Sequence, residues 1–132
     1  MAWPCSVAAM PSAEQITQII SHYLELVAKG SADDIADLYA DDATVEDPVG
    51  GEVHIGRQAI KRFYGAVEKL KSETELVTLR VAGTEAAFQF KLALDFGDSR
   101  MRVEPIDVMV FDDEGKIASM KSYWSREDVT PL

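Results

Sequence analysis

The chain has 132 residues, 47% of them hydrophobic and 27% charged, and a formal net charge of −10. A single domain of that size buries roughly two-thirds of the surface its unfolded chain exposes, so it can build a core without staples, and the lone Cys5 excludes an internal disulfide. The acidic balance, without any Lys/Arg cluster, argues against nucleic acid and anionic membranes and for a neutral substrate, and no apolar run is long enough to span a bilayer.

Residues 1–10 have no basic n-region, and Pro4 and Ser6 interrupt their apolar stretch. They read as a disordered extension rather than a signal peptide, with cytoplasmic residence as the default. A single domain is expected over residues 11–132. Ser12 and Gln15 form a capping box, and Ile16, Ile19, Ile20, Tyr23, Leu24 and Val27 then recur at helical spacing. Gly30 ends this helix. Ser31 caps a second, short helix expected to carry Ile35, Leu38 and Tyr39, and Thr44 to Pro48 reads as a brief extended segment. Gly50 and Gly51 turn the chain. A third helix is expected from about Arg57 to Leu70, with Ile60, Phe63, Tyr64, Val67 and Leu70 on one face.

Beyond that helix the hydrophobic period falls from 3.6 to 2. Strands are expected over residues 73–81, 86–96, 100–111 and 116–124, with turns at Gly97-Asp98 and Asp113-Glu114-Gly115. Three helices followed by a meander of long strands is an α+β pattern. The expected architecture is a cone-shaped single domain, its N-terminal helices packed on a curved, mostly antiparallel β-sheet around an apolar interior suited to a ligand.

Three residues sit oddly for a pure core. Asp107 lies on a strand with Met101, Val103, Met109 and Phe111 on its own face and Ile106, Val108 and Val110 on the other. It therefore meets apolar surroundings on either side, where desolvation raises a carboxyl pKa and leaves a neutral hydrogen-bond donor. A buried Asp held by backbone N–H groups or an arginine fits the same pattern. Tyr23 lies on the apolar stripe of the first helix, where an ordinary core tyrosine also fits; with Tyr39 and Tyr64 it could share a hydrogen-bond network. Asp47 is held extended by Pro48 between apolar neighbours, as a general base would be, but it also belongs to an acidic run with Asp41, Asp42 and Glu46. His22 turns to the polar side of its helix, and His54 falls in an expected loop. No zinc, calcium, phosphate-loop or nucleophile-elbow spacing is present, so the simplest chemistry is cofactor-free.

The run Tyr39-Ala40-Asp41-Asp42-Ala43-Thr44-Val45-Glu46-Asp47-Pro48, with residues 22–27, Phe63-Tyr64, residues 106–111 and Ser122-Tyr123-Trp124, resembles the bacterial ketosteroid isomerases of the nuclear transport factor 2-like superfamily. The resemblance runs from about Ser12 to Glu127. It implies that the chain moves a double bond of a 3-oxo-Δ5-steroid into conjugation, with Asp47 as the base and Tyr23 and a protonated Asp107 as the oxyanion donors. It also implies Tyr39 and Tyr64 as supports of the Tyr23 phenol, and Trp124 near the base. Phe63, Phe88, Phe90, Met109 and Phe111 are implied as steroid-cavity residues. Ketosteroid isomerase is the standard example of a carboxylic acid kept neutral in an apolar site, so the neutral Asp107 owes as much to the resemblance as to the residues. A homodimer through the sheet is implied in the same way. Two other readings stay open: a related enzyme such as a polyketide cyclase or an epoxide hydrolase, the hydrolase needing an arginine between two carboxylates, and a non-catalytic small-molecule-binding module.

Overall fold

The computed structural model describes residues 10–132; the expected N-terminal extension lies, apart from Met10, outside the described residues. Helix α1 spans Ala13–Lys29. Its capping box is formed: the Gln15 N–H donates to Ser12 Oγ at 3.1 Å and the Ser12 N–H to Gln15 Oε1 at 2.8 Å, a device worth about 1 kcal/mol. Ile16, Ile20, Tyr23, Leu24 and Val27 form its buried stripe. Helix α2 covers Ala32–Ala36, and α3 runs over Arg57–Glu68 with Ile60 and Tyr64 buried. Gly56 opens α3 at φ 88°, where a side chain would be strained.

The strands are β1 (Tyr39–Glu46), β2 (Val53–Ile55), β3 (Lys71–Ala82), β4 (Glu85–Asp95), β5 (Arg100–Val103), β6 (Ile106–Phe111), β7 (Ile117–Tyr123) and β8 (Val129–Pro131). They join in one sheet of order β2-β1-β7-β6-β4-β5-β8, with β3 on β4. Only β1 and β7 run parallel; the other pairs are antiparallel. The α+β architecture is as expected, with the helices packed on the sheet. The core between them includes Ile16, Ile20, Val45, Ile60, Met109, Ile117 and Met120, all fully buried.

Several expectations need correction. Tyr39 is not helical: it opens β1, because the Leu38 carbonyl already accepts from the Ile117 N–H at 2.9 Å, and the chain is drawn into the sheet. The brief extended segment is thus an eight-residue strand. Helix α3 stops before Leu70. The single strand expected over 100–111 is two strands, broken at Glu104-Pro105, where proline has no N–H for a ladder. Strands β2 and β8 and a short 3-10 turn at Arg126–Asp128 are too brief for periodicity to reveal. Asp107 does not lie on a strand covered on both sides: its own face is buried, but Ile106 on the other is 48% exposed.

Candidate active site

The strand order explains how distant residues meet. β1, β7 and β6 are neighbours. Asp47 follows the inward-facing Val45 by two residues, so the chain leaving β1 continues on the buried face. Ser122 on β7 pairs directly with Asp107 on β6. The Val49 N–H donates to the Ser122 carbonyl at 2.9 Å and ties the segment after Asp47 to β7. Helices α1 and α3 supply Tyr23 and Tyr64 from above.

These side chains line one cavity of about 230 Å³. Its polar groups are Tyr23, Tyr64, Asp47, Asp107, Ser122 and the indole of Trp124; the rest of its wall is apolar, including Phe63, Phe90, Leu92, Val103 and Pro105. No arginine lines it. Larger hollows on the surface, such as that between His22 and Glu114, are open and bring no reactive group together.

Tyr23, Tyr64 and Tyr39 form a buried phenol chain. The Tyr23 and Tyr64 hydroxyls are 2.9 Å apart, and the Tyr64 and Tyr39 hydroxyls 2.6 Å apart. Burial raises all three phenols well above their ordinary pKa, so they keep their protons as donors. Phe88 closes the back of Tyr23 with an edge-on ring contact of 6.4 Å. Asp107 is 1% exposed, and its Oδ1 has no hydrogen-bond partner. Burial pushes its carboxyl well above the usual carboxylate range, Asp47 adds a repulsion, and Ser122 alone opposes them.

Asp47 is less buried than Asp107. Asp47 is half-buried, and its Oδ1 accepts from the Trp124 indole N–H at 2.6 Å. Burial raises its pKa too, but Trp124, Ser122 and His54 pull it back. Indole and hydroxyl donors stabilise the ionised form. Burial favours the protonated forms of Asp107 and Tyr23, whereas at Asp47 neighbouring donors counter its effect.

Among the residues expected at the site, Tyr23, Tyr64, Asp47, Asp107, Phe63, Phe90 and Trp124 line the cavity, and Tyr39 reaches it through Tyr64. Phe88, Met109 and Phe111 do not; they are core residues, at most 3% exposed. On β4 the cavity-facing residues lie nearer the strand end, at Phe90, Leu92 and Leu94. The sequence pattern assigns no site role to Ser122 or His54. A serine at an inward strand position two residues after the buried Met120 was the available signal for the first. His54, expected in a loop, lies on β2 with its ring 4.8 Å from that of Phe63.

Residues 20–120 match the SnoaL-like domain. The chain belongs to that family. Within reach of this SnoaL-like fold is a protein named steroid Delta-isomerase from Nocardioides simplex, 48% identical over 119 residues, covering 89% of this chain and 97% of the relative. A solved structure of the epoxide hydrolase/cyclase-like enzyme SalBIII, described as acting in pyran ring formation in the polyether salinomycin, superposes with a TM-score of 0.84 at 26% identity. It covers 90% of this chain and 97% of its own.

Proposed function

We propose that the chain is a steroid Δ5-3-ketoisomerase that shifts a carbon–carbon double bond from Δ5 to Δ4 through a dienolate. The observation that carries this reading is one apolar cavity lined by the Tyr23 phenol, the buried Asp107 and the half-buried Asp47 with its indole donor. The likeness to the Nocardioides simplex protein supports it and supplies the substrate class. Asp47 removes the proton at C4 of the steroid, and Tyr23 and Asp107 donate to the oxygen of the 3-ketone as it gains charge. Asp47 then returns the proton at C6. The shift is redox-neutral and one base serves both carbons. Tyr64 and Tyr39 hold the Tyr23 hydroxyl in place, and Trp124 holds Asp47. Phe63 and Phe90 are the aromatic contacts proposed for the steroid.

The absence of an arginine from the cavity wall weighs against a hydrolase that needs one between two carboxylates; Arg102 pairs instead with Glu104 at 3.6 Å. A non-catalytic binding module has no use for two carboxyl groups and a phenol lining one apolar cavity. The same reading includes cytoplasmic residence, a single domain over 11–132 and a homodimer through the outer sheet face, where the paired Ile106 and Tyr123 are exposed. No described helix is long and apolar enough to cross a membrane.

The test is the ultraviolet absorbance of the conjugated enone formed from 5-androstene-3,17-dione, run beside Asp47→Asn. The native chain is expected to give the product, with the variant down by about 10²–10⁴-fold in rate. Near-normal turnover by Asp47→Asn would discard the mechanism.

A further inference from the structure

Ser122 has no part in the reaction as written, yet it occupies the strand between the two carboxyl groups. It is 1% exposed and lines the cavity. Its cross-strand partner is Asp107, and the β1–β7 register that sets Glu46 opposite Lys121 brings Asp47 alongside Ser122. Side chains paired across adjacent strands have Cβ atoms about 4.5–5.5 Å apart, so a hydroxyl here has a carboxyl on each side.

We propose that Ser122 is a positioning residue that couples base and acid, its hydroxyl donating to the Asp47 carboxylate while its lone pairs face Asp107. A hydroxyl has one hydrogen to give and two lone pairs to offer. The hydrogen goes to the ionised neighbour, because charge-assisted bonds are roughly twice as strong as neutral ones. Asp47, already receiving the Trp124 N–H, is that neighbour. The lone pairs are then free for the Asp107 proton until a ligand oxygen takes it. One hydrogen cannot serve two carboxylates at once, so the arrangement favours one ionised and one neutral carboxyl. Asp47 responds to Ser122 in the direction a donor requires.

The other titratable groups facing the pair are His54 from β2, Tyr23 from α1, Tyr64 from α3 and Tyr39 from β1.

The kinetic arm of the test rests on the proposed reaction; the spectroscopic arm does not. Carbon-13 NMR of labelled aspartate carboxyls follows the Asp47 titration in the native chain, Ser122→Ala and Ser122→Thr without steroid. Loss of a hydrogen bond to a charged group is expected to raise the Asp47 midpoint by about one pH unit in Ser122→Ala. Ser122→Thr, which keeps the hydroxyl, is expected to restore it. The acid limb of kcat/KM should move with the NMR midpoint. An unchanged Asp47 midpoint in Ser122→Ala, even with a lower melting temperature, overturns the proposal, as does a shift that persists in Ser122→Thr. If the midpoints move as expected but no variant converts the steroid, the coupling stands and the proposed reaction fails.

Discussion

The two ends of the cavity hold the same side chain in different surroundings. Asp107 lies mid-strand, 1% exposed, with an unpartnered Oδ1. Asp47 lies just past the end of β1, half-buried, with an indole N–H on one oxygen. Burial raises the pKa of both, but at Asp47 three neighbours oppose it, the Trp124 donor foremost, and at Asp107 only Ser122 does. Strand interior against strand end is what separates the two: the interior leaves Asp107 with Ser122 alone to oppose burial, whereas the end leaves room for the Trp124 donor to reach Asp47.

The largest expected effect breaks the comparison at its ionised end. Asp47→Asn keeps the shape but removes the base, with the loss given above. At the neutral end, Tyr23→Phe and Asp107→Ala each remove one oxyanion donor and should lower kcat by roughly 10²–10³-fold. Steady-state kinetics of the three variants would rank the ends; a harmless Asp107→Ala would mean that the buried acid does not touch the reacting oxygen.

A stability measurement sharpens the contrast without substrate. A group whose folded pKa is raised stabilises the fold below its unfolded pKa, and that contribution is lost as pH rises towards the folded value. Asp107 is raised in this sense; Asp107→Asn has no proton to hold. The native chain should therefore lose stability relative to Asp107→Asn by about 1.4 kcal/mol per pH unit above the ordinary carboxylate range. Urea unfolding of both proteins at several pH values checks this, and parallel stability curves would show Asp107 to be ionised. The smallest expected change is at the base: Trp124→Phe removes the N–H donor, so the acid limb of kcat/KM should move up by at most about one pH unit.

Much of this was legible before any coordinates. The helix caps at Ser12 and Ser31, the stripe carrying Tyr23 and the alternation carrying Asp107 are local patterns, and a local pattern reports which way a side chain faces. At Tyr39 the helical spacing yields to a long-range bond between Leu38 and Ile117. The strand over 100–111 was drawn too long, although Pro105 was visible as the break. Phe88, Met109 and Phe111 share the buried faces that the pattern assigned them, but a buried face continues past the cavity into the core, and alternation cannot say where one gives way to the other.

By itself the sequence determined an acidic α+β domain with a carboxyl and a phenol on apolar faces, and the family likeness carried by the segment from Tyr39 to Pro48. Only the tertiary structure decided that β7 lies between β1 and β6. That order joins Asp47, Ser122 and Asp107 into one row, under a phenol chain drawn from two helices and the start of β1. The physical reason is that periodicity fixes the direction of a side chain relative to its own element, whereas convergence depends on strand order and register, which are set by backbone hydrogen bonds between segments far apart in the chain.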